Sequence, residues 1–171
     1  RNVYINKIKH SYQDCEYVIV ADFDGSNNKI TKDSFLKALE YKNWDVLTAN
    51  QDGPYYDIYA LRHPFLNPNN VFKKINYLKS VSRSKLKSEL LPVWMSQLRI
   101  SPNAGLIQVE SAFGGLAIFK KGIIQQSKYC GLDQYGNDEC EHVFFFQKLN
   151  SLGKKIYICS DLINAKRTEH T

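Results

Sequence analysis

The stretch Tyr17-Val18-Ile19-Val20-Ala21-Asp22-Phe23-Asp24-Gly25 decides the fold, because an apolar run ends there in two carboxylates and a glycine. The run is short, rich in Val and Ile and bounded by turn-forming residues, which predicts a buried β-strand. Asp22 and Asp24 then lie at the carboxyl end of that strand, the sheet edge at which open α/β folds bind ligands. Two carboxylates one residue apart suit a hard divalent cation and the phosphate oxygens that it bridges. The alternative interpretation is a plain acidic turn, because Asp and Gly are common turn residues.

The chain around this stretch has 171 residues, which is enough for one domain with a substantial core and too few for two. Strand and helix patterns mix along it without internal repeats, so we predict a single α/β domain, residues 1–171, with a mixed sheet. The chain begins at Arg1 rather than at a methionine and enters a helical pattern almost at once. We therefore expect that the domain is truncated at its N-terminus.

Local patterns predict the elements in more detail. Thr31 or Asp33 is expected to cap the second helix, and Pro92 is expected to follow the end of the fourth. Gly114 and Gly115 lie within a predicted strand, where glycine often marks a bulge or a close approach of another backbone or a ligand. The predicted strands are 17–21, 44–50, 58–61, 106–109, 113–119 and 155–159, and the predicted helices are 4–8, 31–41, 71–80, 86–91 and 141–152.

Charge and composition limit the function classes. The formal net charge is +6, and the densest basic stretch, 73–87, contains a single aromatic residue, Tyr77. Nucleic-acid binding would need basic residues interleaved with aromatics on one face, so we expect no nucleic-acid partner. No apolar run approaches the length of a membrane span, and we expect a location in the cytoplasm or on the cytoplasmic face of a membrane. The cysteines form no CxxC pair, so we expect free thiols rather than a zinc site at Cys15, Cys130, Cys140 or Cys159.

Four segments together resemble the GT-A family of glycosyltransferases. Asp22-Phe23-Asp24 matches the DxD motif of that family, and Asn50 to Arg62 is similar to a segment of some of its bacterial and viral members. Phe113 to Phe119 resembles the glycine-containing strand that lines the sugar pocket. Asp138-Glu139-Cys140-Glu141-His142 lies where the family places its catalytic base, at the start of a helix.

This resemblance implies a mixed, mainly parallel sheet flanked by helices, and a metal-dependent transfer from a nucleotide-sugar donor to a glycan or other hydroxyl acceptor. We expect the reaction to be inverting and the metal to be Mn²⁺ or Mg²⁺, which suit oxygen ligands and phosphate. Three features depart from the family: the first strand has no counterpart before Arg1, the acidic motif has three carboxylates instead of two, and the late histidine of the family has only His170 to match it. The residues implied for the donor are Asp22, Asp24, Gly114, Gly115 and Arg62, and those implied for the metal are Asp22, Asp24 and His170.

The acceptor hydroxyl must lose its proton as it attacks, and a carboxylate within hydrogen-bond reach can take it. Glu141 is the first candidate because it adjoins His142 at the start of a helix, while Asp138 and Glu139 stay open. Acids at a helix start are also favoured by the helix dipole alone. His142 either orients the base or is a packed residue of the core. Arg62 either reaches a phosphate or pairs with Asp57.

A second family is an alternative. Asp22-Phe23-Asp24-Gly25-Ser26 also resembles the nucleophile motif of haloacid-dehalogenase-type phosphohydrolases, in which Asp22 would be the nucleophile and Asp24 the acid/base. A strand followed by a closely spaced acidic pair near the C-terminus is missing from that comparison, and the glycine pair has no role in it. Release of phosphate from simple phosphoesters would distinguish the hydrolase from the transferase.

Overall fold

A five-stranded sheet forms the centre of the structure, a computed structural model that describes residues 1–12, 14–68 and 70–166. The strands are β1 (Tyr17–Ala21), β2 (Val46–Gln51), β3 (Leu106–Gln108), β4 (Leu116–Lys120) and β5 (Ile156–Ala165). The helices are α1 (Asn2–Ser11), α2 (Lys32–Glu40), α3 (Val71–Val81), α4 (Leu91–Ser96) and α5 (Glu141–Ser151), with a π-helical segment at Leu86–Leu90 and a 3₁₀ turn at Ile124–Gln126.

The strand order is β1-β4-β2-β5-β3, which makes the sheet mixed, as predicted. The expectation of a mainly parallel sheet is wrong, because β2 and β5 are the one parallel pair and β1/β4, β2/β4 and β3/β5 are antiparallel among the described residues. The physical reason is that β4 runs back between β1 and β2 and pairs with both. Even so, β1, β2 and β5 all point in the same direction, so their carboxyl ends share one edge with the beginning of β4.

β2, at the centre of the sheet, is buried along its whole length and covered on both faces. On one face Val46 packs in a cluster with Phe145, Phe146 and Leu149 of α5. On the other face Leu47 packs in a second cluster with Ala38 of α2. This burial on both faces explains why apolar and polar residues do not alternate along the sequence of β2. The prediction that 17–21 is a buried strand is wrong, because β1 lies at the edge of the sheet and Ile19 is 51% exposed.

The helix predictions succeed where a local signal is strong. The side chain of Thr31 accepts a hydrogen bond from the backbone N–H of Ser34 at 3.1 Å, which confirms Thr31 as the N-cap of α2. The predicted end before Pro92 is wrong, because the helical segment continues through α4. Pro92 is the second residue of α4, directly after the π-helical segment, and proline with its missing N–H is a common cause of such an irregularity in a helix. The longest helices of the described ranges have 11 residues, and none is apolar and long enough to cross a membrane.

The predicted strand 58–61 is also wrong, because a side chain competes there for the backbone. Asp57 accepts a hydrogen bond from the N–H of Ala60 at 3.3 Å, and the N–H of Leu61 donates to the Asp57 carbonyl at 3.1 Å. Such contacts of an Asp side chain with the backbone close a turn and compete with a strand. The apolar residues of this turn, Ile58, Ala60 and Leu61, are nevertheless fully buried.

Candidate functional site

Gly114 and Gly115 lie just before β4, at the edge where β1, β2 and β5 end, and not within a strand as predicted. Both have positive φ angles, 64° and 81°. A Cβ on Gly114 would lie 2.7 Å from the Ala49 carbonyl oxygen, and one on Gly115 would lie 2.5 Å from the Tyr56 hydroxyl. Any larger residue would therefore clash and strain the backbone. The predicted close approach to these glycines is present. The groups that approach them belong to the protein, namely the Ala49 carbonyl and the Tyr56 hydroxyl.

Three amide side chains hold this glycine pair in place. Gln51 and Asn164, both buried, donate hydrogen bonds to the Gly114 carbonyl at 3.1 and 2.7 Å. Asn27 donates to the Gly115 carbonyl at 2.9 Å and accepts from Asn164 at 2.9 Å. Gln51 also donates to the side-chain oxygen of Asn164 at 3.0 Å, so the three amides link the chain that follows β1 with the ends of β2 and β5 in one network.

Asp22 is attached directly to the glycine pair. Its backbone N–H donates to the Gly115 carbonyl at 2.9 Å, and its own carbonyl accepts from Asn27 at 2.8 Å. The carboxylate is 29% exposed and lies 3.5 Å from the guanidinium of Arg1. Partial burial raises the pKa of Asp22, an effect that Arg1 opposes and the nearby Asp24 charge reinforces. Asp22 is thus a carboxylate with a fixed backbone and an accessible side chain.

Asp24 faces its own loop. Its Oδ1 atom accepts from the backbone N–H of Ser26 at 3.1 Å and from the Ser26 hydroxyl. This arrangement is that of an Asx-turn, so the alternative interpretation of an acidic turn accounts for one oxygen of Asp24. Phe23, which separates the two carboxylates, is fully exposed.

Arg1 joins Asp22 to the start of α5. Its Nε atom lies 2.9 Å from a carboxylate oxygen of Glu141, and its guanidinium lies 5.6 Å from the ring centres of both Phe113 and Tyr129. Asp22 and Glu141 therefore share one cation and face the same space, although they are far apart in the sequence.

The other two candidates for the catalytic base lie elsewhere. Glu139 is nearly buried, and its carboxylate accepts from Arg62 at 2.7 Å and from Asn70 at 2.6 Å. Among the described residues, Arg62 accordingly pairs with Glu139 and not with Asp57, the side chain considered as its partner. Asp138 is exposed on the loop that precedes α5. Of the three carboxylates, Glu141 is the one that shares a partner with Asp22.

Asp57 is an acid of this region that the sequence interpretation did not select. Its Oδ2 atom accepts from the Gly114 N–H at 2.9 Å, directly behind the glycine pair. Burial raises the pKa of Asp57 to about 6, and the charges of Asp22 and Glu141 act in the same direction, while its two backbone hydrogen bonds oppose the rise. The field of the acidic residues thus extends into the protein at this edge.

His142 belongs to the core and not to the acidic space. It is 4% exposed, its ring stacks on Phe113 at 3.9 Å, and neither ring nitrogen has a hydrogen-bond partner among the described residues. Burial lowers the pKa of His142 to about 3, so the ring is neutral near pH 7. The packed interpretation is the one that fits this contact. His170, the other histidine assigned to the site, lies outside the described residues.

The sequence did carry a signal for part of what was missed. Gln51 and Asn164 stand near the ends of two apolar strands, β2 and β5, which is the position that Asp22 occupies after β1. The same rule about strand ends could therefore have selected them. Arg1 carried no comparable signal, because an arginine before a helix is ordinary.

The carboxylates at this edge are of the type that binds a divalent cation, but they are few. In the described part of the chain, no group of three or more His, Cys, Asp and Glu side chains is arranged to hold a metal ion. Asp22 and Asp24 offer carboxylate oxygens, and Mg²⁺ is often held by one or two carboxylates when substrate phosphates supply further ligands. The residues present therefore fit a cation that arrives with a phosphorylated ligand better than a permanent metal centre.

Comparisons with protein-family models, with curated proteins and with solved structures found no match.

Proposed function

We propose that the protein is a metal-dependent glycosyltransferase that moves a sugar from a nucleoside-diphosphate sugar to a hydroxyl group of a glycan or another acceptor. The observation that carries the proposal is the shared contact of Asp22 and Glu141 with Arg1 beside the glycine pair. This brings three of the four segments that resemble GT-A glycosyltransferases to one place. A chance similarity of short motifs would not require them to meet.

Asp22 and Asp24 are the residues that would hold Mn²⁺ or Mg²⁺ together with the donor diphosphate. When bound, the cation supplies Lewis-acid stabilisation of the charge that develops on the leaving group. Gly114 and Gly115 have an indirect role in this proposal. They let the start of β4 lie against β1, which orients Asp22. Arg62 and Glu139 have a structural role in this proposal, because each already binds the other.

Glu141 is the proposed base. Its side chain is 37% exposed and is held by Arg1, which is itself 32% exposed. An exposed ion pair of this kind contributes little stability and opens readily. The donor phosphates offer Arg1 another anionic partner, which would free the Glu141 carboxylate to accept the acceptor proton. General-base catalysis of this type contributes about 10²–10⁴-fold in rate. Inversion requires that the anomeric carbon of the bound donor lie between the Glu141 carboxylate and the leaving diphosphate.

The test combines donor binding with turnover. Calorimetry with Mn²⁺ and a panel of nucleoside diphosphates should show binding that depends on the metal and is lost in Asp22→Asn and weakened in Asp24→Ala. Release of nucleoside diphosphate from nucleotide-sugars should fall by about 10²-fold or more in Glu141→Gln, while donor binding is unchanged. Asp138→Asn is the matched control, because it removes an exposed acid from the same loop and should leave both measurements unchanged.

Three outcomes would contradict the proposal. Donor binding that is equal with and without metal would remove the role of Asp22 and Asp24. Unimpaired turnover in Glu141→Gln would remove the role of the base. Release of phosphate from p-nitrophenyl phosphate that Asp22→Asn abolishes would identify a phosphohydrolase with Asp22 as its nucleophile.

A further inference from the structure

A second open space lies at the same edge of the sheet, beyond the glycine pair. It is a cleft of about 650 Å³ whose lining includes Asp52, Gly53, Trp94, Arg99 and Lys166. We call it the Trp94 cleft. Asp52 follows β2 and Lys166 follows β5, so the cleft begins where these two parallel strands end. Its volume lies within the range of 300–1,000 Å³ that is typical of small-molecule sites.

The walls of the Trp94 cleft are fixed by backbone contacts. The N–H of Asp52 donates to the Ala165 carbonyl at 2.8 Å. A Cβ on Gly53, which has a φ angle of 154°, would lie 2.8 Å from the Lys166 carbonyl oxygen, so a glycine is needed for this approach. On the other side Pro54 and Arg99 form an antiparallel bridge. The cleft is therefore part of the folded structure and not a gap between loose loops.

The Trp94 cleft combines an apolar ring with positive charge. Trp94 is 60% exposed, which is unusual for the largest apolar side chain. Asp52 is paired with Lys29 at 2.9 Å, and this pair, with Lys166 and Arg99 nearby, lowers the pKa of the Asp52 carboxyl. Within the described ranges neither Arg99 nor Lys166 makes an ion pair. Asp52, the acid of this lining, already pairs with Lys29, so the lining beside the exposed indole carries an excess of positive charge from Arg99 and Lys166.

We propose that the Trp94 cleft binds an anionic sugar unit of the acceptor, with the apolar face of the sugar ring on Trp94 and its carboxylate or phosphate on Arg99 and Lys166. The indole is a rigid apolar surface that suits a flat ring face. A guanidinium binds carboxylate and phosphate in a fork geometry, and an ammonium adds a point charge. This inference rests on the proposed transferase function for its assignment to the acceptor.

The position of the cleft favours the acceptor over the donor. The strand order places β4 between β1, which carries Asp22, and β2, which leads into the cleft. Two strand spacings of about 4.8 Å each separate β1 from β2, so the cleft begins roughly 10 Å from the acidic residues. A donor held by its diphosphate at Asp22 occupies the β1 side. An acceptor that presents one hydroxyl to Glu141 can then extend across the edge towards Trp94.

The experiment measures binding of defined sugars to the whole chain in the absence of donor. The probes are an oligogalacturonide, a hexose phosphate, a neutral oligosaccharide and a nucleoside monophosphate, followed by tryptophan fluorescence and calorimetry. We expect the carboxylated or the phosphorylated sugar to bind and to change the emission of Trp94, and which of them binds identifies the anionic group. Trp94→Ala and Arg99→Gln should each weaken this binding at least tenfold, Trp94→Phe should weaken it less, and Arg83→Gln, an exposed arginine outside the cleft, should not change it.

Binding of the neutral sugar as tightly as the anionic ones, or binding that Trp94→Ala and Arg99→Gln leave unchanged, would overturn the inference. Preferential binding of the nucleoside monophosphate would overturn it as well, because the cleft would then belong to the donor. Hydrolysis of a nucleotide-sugar without acceptor reports on the Asp22 region separately. If Trp94→Ala weakens sugar binding while the unmodified chain neither binds nor hydrolyses a donor, the failure lies in the proposed function and not in the cleft.

Discussion

Glu139 and Glu141 are two residues apart at the start of α5, and each contacts an arginine over a similar distance, 2.7 Å to Arg62 and 2.9 Å to Arg1. Their surroundings differ. The side chains of the Arg62–Glu139 pair are 9% and 10% exposed, whereas those of the Arg1–Glu141 pair are 32% and 37% exposed. Glu139 also accepts from Asn70 and from the N–H of Cys140, so its carboxylate has a full set of donors.

This comparison shows that the length of an ion pair says little about its role. Charges that are buried with all their partners are costly to separate, because a lone charge in the interior is poorly solvated. A half-exposed pair loses little when it opens, because water replaces the partner. The buried pair of Glu139 with Arg62 therefore holds the loop before α3 against the loop before α5. The more exposed pair of Glu141 with Arg1 leaves a carboxylate that can change partners.

The largest expected effect tests this difference directly. Glu139→Gln should lower the free energy of unfolding by about 3–5 kcal/mol, because it leaves the guanidinium of Arg62 buried without its counter-charge. Glu141→Gln is the matched change on the more exposed pair and should cost less than about 1 kcal/mol. Urea unfolding of both variants measures the two values. Equal losses would mean that the two pairs do not differ in the way that their exposure indicates.

The second prediction concerns the backbone at Gly115, which lies behind the accessible side chain of Asp22. We expect this backbone to be rigid. Gly115 and Gly136 have the same φ angle of 81°, but a Cβ on Gly115 would meet the Tyr56 hydroxyl at 2.5 Å and one on Gly136 would meet nothing within 4 Å. Gly136→Ala should therefore cost only the left-handed strain, about 1–2 kcal/mol. Gly115→Ala should cost about 1–3 kcal/mol more because of overpacking. Similar thermal unfolding of both variants would show that the backbone around Asp22 yields easily.

The smallest expected effect concerns His142, which follows Glu141 in α5. It tests whether the buried ring of His142 is shielded from water. The folded state holds the pKa of His142 at about 3, below the ordinary value of 6.5, so the unfolded chain binds this proton first. The resulting stability is complete above pH 6.5 and is lost as the pH falls from there towards 3. One pKa unit corresponds to about 1.4 kcal/mol, so the expected loss at pH 5.5 is about 1.4 kcal/mol.

His142→Phe should remove that loss, because phenylalanine can keep the stack on Phe113 without a titrating group. Denaturant unfolding at pH 5.5 and pH 7.5 gives the difference for each protein. If the variant and the parent chain show the same pH dependence of stability, the ring of His142 takes up its proton within the folded protein. Water would then reach the core beside His142.

Part of the candidate site could be predicted from the sequence because its signals are local. An apolar run followed by acids places Asp22 at a strand end, and two adjacent glycines announce a close approach at Gly114 and Gly115. The role of the three carboxylates near α5 could not be separated in this way. Asp138, Glu139 and Glu141 have similar neighbours in the chain, and they differ only in what packs on them from residues 1–70.

The sequence by itself determined the elements whose causes lie within a few residues: the position of β1, the start of α2 at Thr31 or Asp33 and the helix that is α5. The tertiary structure alone decided the insertion of β4 between β1 and β2, the turn at 58–61 and the separate fates of Glu139 and Glu141. The reason is physical. Propensity, capping and periodicity act over one or two turns of chain, whereas strand order and the burial of a charge depend on atoms that only folding brings together.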